Sequence, residues 1–146
     1  MRIVLEIRHT QDIAAAKFGH RLFIYRLWPR VRFRQAVNWS EDHLAIVDTG
    51  APYPVIPASL WPMLKTRRIL DTPLRGIVPG ESAQVRASLG KVTTLLFDSR
   101  NASRPFRIHA MLVRAEPVPL ILGWAGFLDR SKLVVHPRQK TAWLEL

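Results

Sequence analysis

One acidic residue in this chain stands where an apolar run meets a tight turn, in the stretch Ala45-Ile46-Val47-Asp48-Thr49-Gly50-Ala51. The apolar residues predict a short buried strand that delivers the Asp48 carboxylate into a core-like environment. Gly50 permits a tight turn whose backbone N–H groups can approach that carboxylate. The Thr49 hydroxyl can hydrogen-bond backbone groups and fix the loop. Because a rigidly held carboxylate is suited to moving protons, Asp48, Thr49 and Gly50 are the candidate catalytic residues.

Asp-Thr-Gly alone is a weak signal, because Asp and Gly are common in ordinary turns. Two further features strengthen it. The run before Asp48 is apolar, so the carboxylate is delivered into a core-like environment rather than to solvent. A second apolar run that ends in glycine, Pro119-Leu120-Ile121-Leu122-Gly123, follows some seventy residues later, and Pro79-Gly80 between the two runs predicts a hairpin.

With these elements in this order, the chain resembles the retroviral-type (retropepsin-like) aspartic proteases, and especially their bacterial relatives. The family pattern is two apolar residues, Asp, Thr or Ser, Gly and Ala, then a flap hairpin containing glycine, then two apolar residues, Gly and a short helix. The matching stretches here are residues 46–51, 75–86 and 121–130. Pro52 departs from the pattern, since many members have a small hydroxyl or acidic residue there. Residues 1–29 lie largely outside the resemblance.

The resemblance implies a single all-β domain of the closed β-barrel type over residues 30–146. Residues 1–29 are then an N-terminal extension that can add a strand to a subunit interface. It also implies a flap over residues 76–83 that closes on an extended peptide. The residues implied in substrate binding are Ala51, Gly76, Ile77, Val78, Pro79, Gly80, Ile121 and Gly123.

The family further implies one catalytic Asp per subunit and two subunits per active site. The chain agrees with this, because Asp71-Thr72-Pro73 and Asp98-Ser99-Arg100 lack the glycine and are interpreted as turns. We therefore expect a homodimeric aspartic endopeptidase in which two Asp48 carboxylates share one proton. The charged carboxylate would activate water and the protonated one would polarise the peptide carbonyl. This chemistry needs no metal and no organic cofactor.

The rest of the chain predicts many short strands and one or two short helices, which is typical of a mainly β domain. Strands are expected over residues 1–8, 21–28, 30–37, 43–47, 74–78, 83–88, 92–97, 106–113, 133–136 and 142–146. Helical turns are expected over residues 11–18, 58–65 and 125–130. From Arg30 to Arg34 arginine alternates with Val31 and Phe33, which predicts a half-buried strand with its charges in water.

Two alternative functions remain open from the sequence. The net charge of +11 could serve a small basic domain that binds nucleic acid, but the arginines are scattered, so a nucleic-acid partner is not the expectation. A protease-like domain used only for dimerisation or peptide binding is the other alternative. The chain has no cysteine, its five histidines show no metal-ligand spacing, and no segment suggests a signal peptide or a membrane span. The expected location is the cytoplasm.

Overall fold

The structure, a computed structural model, describes residues 1–75 and 84–146. The described residues form one α-helix, α1 (Ile13–Lys17), and short 3-10 turns at Trp61–Met63, Leu128–Arg130 and Pro137–Gln139. The strands, in chain order, are β1 (Arg2–Val4), β2 (Glu6–Gln11), β3 (Phe23–Trp28), β4 (Arg30–Phe33), β5 (His43–Leu44), β6 (Ile46–Val47), β7 (Val55–Ile56), β8 (Thr66–Asp71), β9 (Leu74–Arg75), β10 (Gln84–Val85), β11 (Ala87–Phe97), β12 (Phe106–Val113), β13 (Ile121–Leu122), β14 (Lys132–His136) and β15 (Thr141–Glu145). The mainly β fold class predicted from the sequence is confirmed.

The largest sheet has the strand order β5-β4-β11-β12-β7-β13-β6, with β8 also paired to β11. The two strands that end this order, β5 and β6, are separated in the chain by Ala45 alone. The Ala45 N–H donates to the carbonyl of Pro29, 3.1 Å away. The sheet therefore nearly closes on itself and forms a barrel-like body.

β11 is the longest strand of this sheet and pairs with β4, β8 and β12. Its residues alternate along its length between buried and half-buried positions, as a strand with one face on the core requires. Val92 and Leu96 point inward and pack with Ile108 and Leu112 of β12 and with Phe33 of β4. The alternation predicted for β4 is confirmed, because Val31 and Phe33 are fully buried whereas Arg30 and Arg32 are exposed.

A second sheet joins the two ends of the chain in the order β1-β15-β14. Arg2 pairs with Glu145 and Val4 pairs with Trp143. Ile3 of β1 and Leu144 of β15 are both fully buried in the main core. The first strand of the leading segment therefore packs as part of the same body as residues 30–146.

The rest of the leading segment forms an arm, which consists of the hairpin β2–β3 and the helix α1 at its tip. Near the base of the arm, Ile7 and Leu27 pack against the main core, and β3 lies against β6. At the tip α1 buries no residue, and Phe18 is 82% exposed. The arm is thus anchored beside the strand that carries Asp48 while its tip is open to solvent.

Several predicted elements differ in extent. The single strand expected over residues 1–8 is interrupted at Leu5, and the strand expected over 30–37 ends at Phe33. The helices expected over residues 58–65 and 125–130 form only turns and 3-10 helix, at Trp61–Met63 and Leu128–Arg130. The strands β7 and β8 were not predicted. No helix among the described residues is long and apolar enough to cross a membrane.

Candidate active site

Two parallel strands, β6 and β13, place residues 48–51, which we call the Asp48 loop, beside the second apolar run. Ile46 pairs with Ile121 and Val47 pairs with Leu122. The ladder begins with the Ile46 N–H donating to the Leu120 carbonyl at 2.9 Å and ends with the Asp48 N–H donating to the Leu122 carbonyl at 3.1 Å. The two motifs that the sequence places some seventy residues apart are therefore side by side, and the backbone of Asp48 is fixed by the second one.

The Asp48 side chain is held by its own loop. The Gly50 N–H donates to Oδ1 of Asp48 at 2.8 Å, and the Ala51 N–H donates to the Asp48 carbonyl at 3.3 Å. The side chain is half-buried, so it is neither sealed in the core nor free in solvent. Oδ2 of Asp48 accepts no hydrogen bond from the described part of the chain. One carboxylate oxygen therefore orients the group and the other is available to a water molecule or a substrate.

Gly123 lies where the two motifs cross at close range. The Trp124 N–H donates to the Ala51 carbonyl at 3.0 Å, and the Ala125 N–H donates to the Pro52 carbonyl at the same distance. A Cβ atom added at Gly123 would collide with the Ala51 carbonyl oxygen and would lie 2.7 Å from that of Tyr53. Gly123 therefore serves the packing of one loop against the other, and it does not line the cavity beside Asp48.

Trp124 links the same two loops through its side chain. Its indole N–H donates to the carbonyl of Thr49 at 2.7 Å, while almost half of the ring remains exposed. Trp124 was not predicted as a site residue from the sequence, although it directly follows Gly123. The hydroxyl of Thr49 is exposed and has no hydrogen-bond partner within the described ranges, so the loop is fixed through the Thr49 carbonyl.

A cavity of about 400 Å³ opens next to the carboxylate. Four of the predicted site residues line it: Asp48, Gly50, Ala51 and Ile121. The other lining residues were not predicted as site residues from the sequence; they are Pro52, Tyr53, Val55, Leu74, Arg75 and Pro119. Most of the residues that line the cavity are apolar. Asp48 and Arg75 are the charged side chains among the described lining residues. A cavity of this size and polarity can hold an apolar side chain of a bound peptide.

The predicted flap coincides with the residues that are not described. Gly76, Ile77, Val78, Pro79 and Gly80 all lie outside the described ranges. The base of the predicted hairpin is present, because Arg75 pairs with Gln84 and Leu74 pairs with Val85 in an antiparallel register. Since Leu74 and Arg75 line the cavity, the hairpin starts at its rim.

Comparisons of the chain with protein-family models, with curated proteins and with solved structures found no match. The resemblance to aspartic proteases therefore rests on the motifs themselves.

The other two aspartates considered in the sequence have structural roles. The Ser88 hydroxyl and the Arg68 guanidinium both hydrogen-bond to Asp71 and hold the pKa of its carboxyl below the ordinary value. Burial raises the pKa of Asp98, but backbone N–H groups of Val4, Arg100 and Asn101 outweigh burial and lower it overall. Both carboxylates are thus occupied by their own surroundings. Asp98 lies in a loop, as expected, whereas Asp71 is the last residue of β8 and pairs with Ser88, so its interpretation as a turn residue is wrong.

The described residues contain no cluster of three or more His, Asp or Glu side chains that could hold a metal ion. His43 of β5 is partly buried. Burial lowers the pKa of His43 more than the charges of Glu41 and Asp42 raise it.

Proposed function

We propose that this chain is one subunit of a homodimeric aspartic endopeptidase, in which Asp48 of each copy contributes one carboxylate to a shared active site. The observation that carries the proposal is the state of the Asp48 side chain. Oδ1 is held by the Gly50 N–H, Oδ2 has no partner among the described residues, and the group borders a cavity of peptide side-chain size. The backbone beneath it is fixed by the parallel pair β6–β13.

The proposal requires a second subunit because one carboxylate cannot take a proton from the water and donate a proton to the peptide carbonyl in the same step. Within the described ranges, Asp48 is the acidic residue that lines the cavity. A two-fold axis beside the Asp48 loop would bring the second carboxylate from an identical copy. Two such groups a few ångströms apart would not both ionise readily, so the pair would carry one proton.

Hydrolysis then follows from this shared proton. The ionised carboxylate takes a proton from a water molecule held between the two groups, and the water oxygen attacks the peptide carbonyl carbon. The protonated carboxylate donates to the carbonyl oxygen, and the proton is later passed to the leaving nitrogen. The peptide would lie extended over the cavity, next to the start of the hairpin at Leu74 and Arg75. Cleavage should be fastest from acidic to near-neutral pH and should cease where both carboxylates ionise; flat activity into strongly alkaline pH would contradict the mechanism.

The test is cleavage of a peptide library by the wild type and by Asp48→Asn. The substitution keeps the hydrogen bond from Gly50 but removes the charge, so cleavage should fall by at least about a thousandfold, in line with the loss of a paired catalytic group. Asp12→Asn is the matched control. Asp12 caps α1 by accepting from the Ala15 N–H at 3.0 Å, and asparagine caps equally well.

A mixing experiment tests whether two copies share the site. Adding an excess of Asp48→Asn subunits to a fixed amount of wild type should suppress activity, because most wild-type subunits would then be in mixed dimers with a single carboxylate. Excess Asp12→Asn should not suppress it. Full activity of Asp48→Asn, or wild-type activity that an excess of inactive subunits leaves unchanged, would refute the shared site. Peptide binding without any cleavage by the wild type would refute the enzyme and leave a binding domain.

A further inference from the structure

A second groove lies on the outer face of the barrel-like sheet and shares no lining residue with the Asp48 cavity. Its volume is about 650 Å³. Five of its lining residues are cations: Arg34, Lys65, Arg67, Lys91 and Arg107. The remaining lining residues are Trp39, Thr66, Val92, Thr93 and Pro105. Cations that are far apart in the sequence thus meet along one surface, which we call the basic groove.

The strand register explains this convergence. Lys91 of β11 pairs with Arg67 of β8 on one side, and Thr93 of β11 pairs with Arg107 of β12 on the other. Residues opposite each other in an antiparallel pair point to the same face of the sheet. Their neighbours Val92 and Ile108 are buried, so the cations point outward. At the end of the groove the Lys65 N–H donates to the Arg34 carbonyl at 2.8 Å, which keeps the last two together.

The charges of the basic groove are uncompensated within the described part of the chain. No acidic residue is among those that line the groove, and none of its five cations forms an ion pair with a described residue. Cations just outside it are paired: Arg32 with Asp42 and Arg68 with Asp71, both at 2.5 Å. Because clustered like charges repel one another, such a surface favours a polyanionic partner that neutralises several of them at once.

Trp39 favours one class of polyanionic partner over the others. Its ring is partly exposed at the groove, and the Arg34 guanidinium lies 5.6 Å from the ring centroid. Aromatic rings and arginine planes beside a row of cations are the features on which single-stranded nucleic acids bind, with bases stacked and phosphates paired to the cations. An acidic peptide would use the cations but would gain little from a stacking surface.

We propose that the basic groove binds single-stranded nucleic acid, with the phosphates along Arg67, Lys91 and Arg107 and a base against Trp39. This reverses the expectation from the sequence, in which the basic residues looked scattered. The proposal does not depend on the proposed protease activity, so Asp48→Asn should bind nucleic acid as the wild type does.

The test is fluorescence anisotropy with a labelled single-stranded oligonucleotide of about twelve nucleotides, titrated at salt concentrations from about 50 to 200 mM. The triple variant Arg67→Gln, Lys91→Gln, Arg107→Gln should bind at least about twentyfold more weakly at the lower salt. Its salt dependence should be shallower by about two units of log affinity per log salt, since each phosphate contact to a single strand contributes about 0.7.

The matched control removes three exposed cations elsewhere, with Lys17→Gln, Arg21→Gln and Arg138→Gln. It lowers the net charge equally and should change affinity less than about threefold if the groove is the site. Equal weakening by the two triple variants would overturn the proposal, because binding would then follow net charge alone. Lys91→Gln with its single control Arg138→Gln gives the same comparison if the groove triple variant does not fold.

Stacking is tested separately. Trp39→Leu should weaken binding about tenfold without changing the salt dependence, and Trp39→Phe should restore most of the loss. Duplex DNA that binds as tightly as the single strand, or a poly-glutamate peptide that displaces the oligonucleotide at equal charge concentration, would overturn the assignment to single strands.

Discussion

At Gly123 a hydrogen atom occupies the place where any side chain would meet the carbonyls of Ala51 and Tyr53. The colliding atoms belong to the backbone, so the conflict cannot be relieved by rotating a side chain. Gly123→Ala should therefore separate β13 from the Asp48 loop and lower the free energy of unfolding by about 3 kcal/mol. Thermal or urea denaturation measures this, and stability within about 0.5 kcal/mol of wild type would contradict the close crossing.

Gly50→Ala is the comparison for that substitution, because its Cβ would meet the Asp48 carboxylate instead of backbone. The added atom would lie 3.2 Å from Oδ1 of Asp48. The carboxylate can yield by a small rotation, so stability should fall by less than about 1 kcal/mol. The rate of peptide cleavage should fall far more than this small loss of stability would cause, since the carboxylate loses its orientation.

The hydrogen bond of the Trp124 indole can also be tested by substituting a single residue. Trp124→Phe removes the 2.7 Å hydrogen bond to the Thr49 carbonyl but keeps an aromatic ring. Trp61→Phe is the matched control, because the Trp61 indole N–H donates at the same 2.7 Å to the carbonyl of Val113, away from the cavity. Each variant should lose about 1 kcal/mol of stability. Only Trp124→Phe should also lower the cleavage rate, by about tenfold, because only it loosens the Asp48 loop.

The short strand β5 contains His43, which should make the stability of the folded chain depend on pH. Burial lowers the pKa of His43, and no described residue hydrogen-bonds to its buried Nε2 atom. A histidine with a lowered pKa in the folded state favours folding when it is neutral. Its contribution is complete above the ordinary value of 6.5 and is lost as the pH falls through 6.5 toward the folded-state pKa.

Wild-type thermal stability should therefore decrease between about pH 7.5 and pH 5, whereas His43→Gln should lose less over the same interval. Thermal denaturation at several pH values measures the difference. His9→Gln is a suitable control, because His9 lies on the exposed part of the arm. A steeper loss for His43→Gln than for the wild type would show that His43 is stabilised in its charged form.

The elements show which features the sequence could predict. β12 was predicted with its observed limits, because its apolar run is bounded by polar and proline residues on both sides. β8 was missed because nearly all its residues are exposed, so it lacks the apolar alternation that marks a strand. Residues 43–47 were predicted as one strand, whereas the chain changes partner at Ala45. The Ala45 N–H bonds to Pro29 and the next N–H bonds to Leu120, and such a change depends on the tertiary fold.

The same limit applies to the candidate site. Asp48, Gly50, Ala51 and Ile121 were selected from local patterns and do line one cavity. Tyr53, Leu74 and Pro119 were not selected, because nothing in their local sequence indicates that they converge. The basic groove is the clearest case, since its five cations come from residues 34 to 107 and only the strand register brings them together.

The net charge of the whole molecule should make dimerisation and oligonucleotide binding respond to salt in opposite directions. Each copy carries a formal charge of +11, so two copies that approach to form the proposed dimer repel one another. Added salt screens this repulsion, since the screening length falls from about 14 Å at 50 mM to about 4 Å at 500 mM. Dimerisation measured by sedimentation should therefore become tighter with salt, and peptide cleavage at limiting protein concentration should rise with it.

Binding of an oligonucleotide to the basic groove should respond in the opposite direction, because it releases counterions that salt replaces. The two measurements on one salt series distinguish the two surfaces without any substitution. The triple variant of Arg67, Lys91 and Arg107 sharpens the comparison, because with less charge it should form dimers more readily at low salt than the wild type. A dimer that dissociates as salt rises would mean that ion pairs between the subunits outweigh their net repulsion.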